Sequence, residues 1–487
     1  MKPIVQRFGL RIDWTRVALR YLPFADAATT ELPLARLMRL ALFQVSVGMV
    51  AVLTVGTLNR VMIVELGVFA WLVALMVALP ILVAPLRPLI GLRSDLHRSF
   101  LGWRRVPFLW GGTMLQFGGL AFMPFALILL AGETSFQVWV GRVAAAVAFL
   151  LVGAGAQTVQ TAGLALATDL APEHARPRVV ALMYVMLLVG MVGSGIAFSA
   201  LLVDYTHTRL AQVVQGAAVA TVLLNFVAAW KQEPRTARRM PGRAAAGGAG
   251  AGLAGFRAHW QALARQGRAT RFLLAVGLGT LAFNMQDVIL EPYGGEILHL
   301  PVGQTTLLTG LMAVGALLAC VGAARRLARG ADAHGVAAWG AVVGLFAFAA
   351  VLFAAPVQAP WLFSLGAALI GFGGGLFAVG TLTAAMGLDG GEGRHGLVIG
   401  AWGAVQATCA GVAIALGGAL RDLVGGLAQS GRLGEALAGP GTGYGAVYQL
   451  ELLLLIATLI VIGPLVRQRR QATAAGGGRF GLAEFPG

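Results

Sequence analysis

Twelve runs of roughly 20 apolar residues recur along the 487-residue chain, and each is long enough to cross a ~30 Å hydrocarbon core as an α-helix. They lie near 41–64, 68–90, 106–131, 136–165, 178–203, 210–230, 272–293, 302–324, 335–354, 361–386, 397–420 and 444–466. Backbone polar groups in lipid must be paired within the protein, so only helices and closed barrels can span it. The ten-residue alternation of a barrel strand does not recur, which leaves helices. The composition, 58% apolar and 11% charged, is far from the roughly 45–50% and 25% of a soluble domain. The expected class is an all-α integral membrane protein.

The charge supports this reading. Of 36 Lys and Arg residues, 30 fall in the N-terminal segment, in alternate loops and in the tail. Basic flanks stay on the cytoplasmic side, so both termini are expected there. Arg60, Arg209, Arg421 and Arg432 fall on the opposite face, and Arg87 and Arg142 within helices. The net charge of +16 accompanies no basic, aromatic-interleaved domain, so nucleic acid is not an expected partner. The first 40 residues contain seven basic residues and no apolar core of a cleaved signal peptide. Cys320 and Cys409 both fall within spans, where they do not suggest a disulfide framework.

The longest loop, 231–271, contains the Gly/Ala-rich run 243–252 and has six spans on either side. The expected organisation is a cytoplasmic segment (1–40), a six-helix half (41–230), a basic linker (231–271), a second six-helix half (272–466) and a cytoplasmic tail (467–487). This is the layout of transporters built from two repeats around an axis along the membrane normal.

Between spans 2 and 3, Gly91, Asp95, Arg98, Arg104 and Arg105 resemble the Gly-x-x-x-Asp-Arg-x-Gly-Arg-Arg loop of the major facilitator superfamily, with about three extra residues before the Arg pair. Physically, Asp95 can cap a helix end and pair with Arg, forming a cytoplasmic latch between rocking halves. Arg325, Arg326, Arg329 and Asp332 echo it in the second half, and the sequence from Asp169 to Arg178 also resembles that superfamily.

Polar residues within the spans are the candidates for function, because a charge at mid-bilayer costs at least about 2.5–3.5 kcal/mol. On a regular helix Asn284, Asp287 and Glu291 share one face, with Gln286 about 100° away. Pro292 and Gly294–Gly295 are expected to break that helix. Glu291 and Glu296 are expected at its solvated mouth. Asp287 could couple protons, anchor a bound cofactor, pair with Arg142 or another helix, or simply join helices by hydrogen bonds. Gln44, Gln116, Gln157, Gln160 and Gln406 are further amides at lipid depth, each able to act as packing glue. No metal-ligand spacing, phosphate loop or nucleophile elbow is present, and none of the seven His lies mid-span, so no enzymatic chemistry is expected.

Several segments together resemble the PucC/LhaA family, the bacteriochlorophyll-delivery members of the major facilitator superfamily. They are 22–26, 61–67, 93–105, 161–169, the segment from Met285 through Gln286, Asp287, Glu291 and Tyr293 to Glu296, and 400–406 ending at Gln406. The resemblance covers about Leu22 to Val466. It implies a twelve-helix major facilitator fold and a role in assembling antenna complexes in the inner, intracytoplasmic membrane. Bacteriochlorophyll would be the bound or delivered pigment, with antenna polypeptides as partners and bacteriochlorophyll-synthesis enzymes as further ones. Gln157 stands where the family often carries His; Mg²⁺ accepts hard oxygen ligands, so this change weakens the ligand assignment there without abolishing it. The fold alone suggests an alternative, a proton-coupled exporter with Asp287 as the coupling carboxylate.

Overall fold

The structure, a computed structural model, describes residues 33–82, 103–131, 137–172, 175–233, 267–387 and 395–475. Twelve helices follow one another: α1 (Leu34–Glu65), α2 (Ala70–Leu82), α3 (Val106–Leu130), α4 (Val138–Leu170), α5 (Arg176–Leu201), α6 (His207–Ala229), α7 (Gly267–Glu296), α8 (Val302–Ala328), α9 (Ala333–Ala354), α10 (Pro360–Met386), α11 (His395–Gln429) and α12 (Thr442–Ala475). Eleven are long and apolar enough to cross a membrane, and the described part of α2 is shorter. The chain is a multi-pass membrane protein. We call the end of the bundle that holds the α1–α2, α5–α6 and α7–α8 links the distal end, and the opposite one the terminal end.

Helix starts follow local chemistry. Thr206 caps α6 by accepting from the Arg209 amide at 3.0 Å, and Asp332 caps α9 from the Gly335 amide at 3.1 Å. Proline in the first turn of α3, α5 and α10 costs no hydrogen bond, because those amides have no helical partner. The Glu233 carboxylate, from beyond α6, accepts from the backbone amides of Arg104, Arg105 and Val106 at the start of α3.

The packing repeats. In the first half α3 packs on α4 and α6, and in the second α9 packs on α10 and α12; likewise α1 meets α5 and α6 as α7 meets α11 and α12. The halves meet through α2 on α11 and α5 on α8, two contacts that a two-fold axis exchanges. Exposed Trp71, Trp139 and Trp361 sit near the distal ends of their helices, and Trp230 and Trp339 near the terminal end. Two such aromatic levels mark the bilayer interfaces.

Small residues let the backbones touch. A β-carbon at Gly371 would lie 1.9 Å from the Met312 carbonyl oxygen, and one at Gly315 would lie 2.0 Å from that of Ala368, so α8 and α10 are in direct backbone contact. Cys320 and Cys409 are both free. The α11 helix overruns the expected end at 420, which places Arg421 in a helix rather than in a loop.

Gly371→Ala should cost roughly 1–3 kcal/mol by overpacking. Gly322→Ala, on α8 with open space around it, should cost almost nothing. Thermal melts of the two purified variants test the difference.

Candidate functional site

The polar residues gather where α7 breaks. Residues Met285–Val288 form a tight 3₁₀ turn between Gly267–Asn284 and Leu290–Glu296. The expected break at Pro292 and Gly294–Gly295 therefore lies one turn earlier, and the chain runs helically through all three. Pro292 sits near the start of the second segment. Lacking an N–H, it leaves the Val288 carbonyl without a helical donor. Asn59 of α1 fills the gap, its Nδ2 donating to that carbonyl at 2.8 Å.

The break also undoes the expected single stripe. A 3₁₀ turn advances about 120° per residue instead of 100°, so the phase slips across the four residues. Asn284 Nδ2 donates to the Thr280 carbonyl at 2.7 Å, and Gln286 is fully buried with its Nε2 donating to Asp287 Oδ1 at 2.5 Å. Gln286 thus works with Asp287 instead of pointing away. Asp287, half-buried, lies in the turn on which α12 packs, whereas Glu291 reaches α1 and α8. Arg142 is exposed on α4 and is not the partner of Asp287.

Glu291 was expected at a solvated mouth; instead it is 2% exposed, with Oε1 accepting from Thr309 Oγ1. A β-carbon at Gly56 of α1 would lie 2.4 Å from that carboxylate oxygen, and one at Gly295 of α7 would lie 3.0 Å from Arg60 Nε. Each helix thus supplies the glycine that admits the other's charged side chain. Arg60, expected on the outer face, lies inside α1 and is 4% exposed. It pairs with Glu65 at 2.5 Å and donates to the Leu300 carbonyl at 3.3 Å. Thr57 and Thr306 share a hydrogen bond at 3.1 Å beside them. Along this stretch α1 winds in wide π turns, Val52–Leu58 and Val61–Glu65, which often mark functional segments. Tyr205, in the α5–α6 link, completes the distal cluster; burial and the nearby Glu65 push its phenol from 10 to about 12 against the opposing pull of Arg60.

Beyond the break, Glu296 is paired and only part-buried: it accepts from Arg421 Nη2 at 2.5 Å and from the Tyr444 hydroxyl at 2.9 Å. Tyr293 is buried with ring centroids 5.6 Å from Phe363, 5.4 Å from Tyr444 and 5.5 Å from Tyr448, an aromatic layer inside the second half.

The remaining candidates are spread out. Gln44 is buried on α1, Gln157 and Gln160 are half-buried on α4, and Gln406 is half-buried on α11. The side-chain oxygens of Gln44 and Gln157 have no donor. Gln116 accepts from Asn225, which also bonds Ser46 and Thr113, tying α1, α3 and α6 together. Of the latch, Gly91, Asp95 and Arg98 lie outside the described residues; Arg104 and Arg105 lie at the start of α3, where Arg105 Nε donates to Asp169 at 3.0 Å. Two acids of the site escaped the sequence reading in their roles: Glu65 as the partner of Arg60, and Glu451 altogether. A lone acid inside the apolar run 444–466 was the available signal for Glu451, by the same cost that singled out Asp287.

A family profile described as "PUCC protein" matches residues 57–470, most of the chain and the site from Thr57 onward. The chain belongs to the PUCC protein family. It is 54% identical to Protein PucC of Rhodovulum sulfidophilum, over 84% of this chain and 89% of that one. It is 52% identical to a Rhodobacter capsulatus protein of the puhA-bchM intergenic region, over 96% and 98% of the two chains. Among solved structures, the bacterial homologue of the human lysosomal transporter Spinster superposes with a TM-score of 0.65 at 13% identity, covering 92% of this chain and 98% of that one. This PUCC chain thus has the major facilitator superfamily fold, and the α1–α7 cluster lies at the meeting of its halves.

Asn59→Ala would orphan the buried Val288 carbonyl at a cost of about 1–3 kcal/mol, read as a lower melting temperature of the purified protein. Tyr205 gives a pH test: with the folded phenol raised, its contribution to stability is intact below about pH 10 and lost as pH rises toward about 12. Tyr205→Phe should lessen that alkaline loss in thermal melts.

Proposed function

We infer that the chain is a membrane assembly factor that binds bacteriochlorophyll or delivers it to light-harvesting antenna polypeptides while antenna complexes are built. Membership in the PUCC family over residues 57–470 carries this reading, together with relatives named PucC at about half identity. The physical form agrees with it. A large apolar pigment needs a lipid-facing carrier with few polar anchors, not a charge-lined tunnel. The lipid-facing sides of α3 and α4 are apolar and aromatic, with Phe122, Phe125, Trp139 and Val143 exposed.

Among the amide candidates, Gln157 is half-buried with a covered side-chain oxygen that has no donor, a hard atom of the type magnesium accepts. Asp287, Glu291 and Glu451 sit among packed helices, so their role is to shape the bundle around the pigment path rather than to touch it. Binding and handing-over require no bond-making, and no catalytic role is assigned. The basic loops favour an inner, intracytoplasmic membrane location with both termini in the cytoplasm. Bacteriochlorophyll-synthesis enzymes are the natural upstream partners, because a free pigment of this kind must be passed on without entering water.

The protein purified from pigmented membranes should carry bacteriochlorophyll, and a deletion strain should lose antenna complexes. Pigment-free protein together with unchanged antenna levels sinks the reading. A second reading, proton-coupled export of a small molecule, draws on one observation: Asp287 is an acid at the break in a helix of a transporter fold. An Asp287→Asn protein that still couples transport to a pH gradient in vesicles removes it.

A further inference from the structure

Packing alone does not account for the acid on α12. Glu451 is 0% exposed, and neither of its carboxyl oxygens has a hydrogen-bond partner. The backbone N–H of Gln286 approaches this carboxyl without completing a hydrogen bond. It lies nine residues from the distal start of α12, and Asp287 lies nine residues from the distal end of α7, so the two acids share one depth of about 14 Å. α12 packs on the 285–288 turn, which carries Asp287.

Two further polar atoms in this layer are orphaned. Gln286 and Tyr448 are both 0% exposed, and Gln286 Oε1 and the Tyr448 hydroxyl have no partner. Tyr448 stands three residues before Glu451, on the same face of α12, and interacts with it. The basic groups nearby are committed elsewhere: Arg421 of α11 to Glu296 and Asp422, and Arg60 of α1 to Glu65. α9 faces this layer with Phe348, which packs on Tyr448. Two neighbouring carboxylates without a cation, one of them fully buried, do not both stay ionised.

We propose that Glu451 and Asp287 form a binding site for one proton, held between α12 and the break in α7. A proton on Glu451 supplies the donor that the Gln286 Oε1 acceptor or the Asp287 carboxylate needs, and leaves its carbonyl oxygen to accept from Tyr448. One small ligand therefore pairs three otherwise orphaned side chains. Release of the proton to water leaves like charges on α7 and α12 across the break, which drives the two segments apart. The site does not depend on whether the client is a pigment or an exported molecule.

Infrared difference spectra of the full chain in lipid nanodiscs test this. At neutral pH the wild type should show a protonated-carboxyl C=O band that shifts on deuterium exchange. Glu451→Gln, isosteric with the neutral acid, should remove that component and keep the wild-type melting temperature. Asp287→Asn, which leaves Glu451 in place, should keep the component but shift its frequency. A wild-type band that Glu451→Gln leaves intact, or a clear rise in melting temperature in that variant, means that Glu451 is ionised and overturns the proposal. Stabilisation by sodium chloride but not choline chloride, lost in Glu451→Gln, also overturns it and assigns the site to an alkali cation.

Discussion

Inside an apolar bundle, every backbone carbonyl that loses its helical donor must find another from a neighbouring helix. Pro292 creates such a carbonyl at Val288, and Asn59 satisfies it from α1. That one bond ties the break in α7 to the first half of the molecule. Around it the other polar contacts between halves collect: Thr57 with Thr306, Arg60 with the Leu300 carbonyl, and Glu291 of α7 against Gly56.

The same break sorts the acids. With a regular helix through 284–296, Asp287 and Glu291 would stand on one face and meet the same neighbour. The 3₁₀ turn rotates them apart, so Glu291 joins the cluster between halves while Asp287 faces α12 inside its own half. One cluster is thus a joint between halves, where Arg60, paired with Glu65 within α1, reaches across to the Leu300 carbonyl. The other is an acid layer without a cation. The polar side chains of both clusters thus sit where the halves or helix segments meet.

Much of this was legible in the residues. The hydropathy runs pointed to the number and order of helices, because both depend on local composition and on bilayer thickness. Asp287 stood out through cost alone. Glu291 was misjudged because its depth was read from a helix assumed regular to Pro292, and Arg60 because a charge near the end of an apolar run reads as a loop residue. Their burial rests on glycines of partner helices, Gly56 for one and Gly295 for the other.

Bilayer physics acting on local sequence determined the twelve helices, their two groups of six and the rarity of intramembrane charge. A family resemblance carried by short segments was likewise readable in one dimension. Tertiary structure alone decided which polar groups meet: Asn59 with Val288, Thr309 with Glu291, Asp287 with Glu451. Those pairings join residues more than a hundred positions apart or turn on the phase of a broken helix. Periodicity within a single helix contains no information about either.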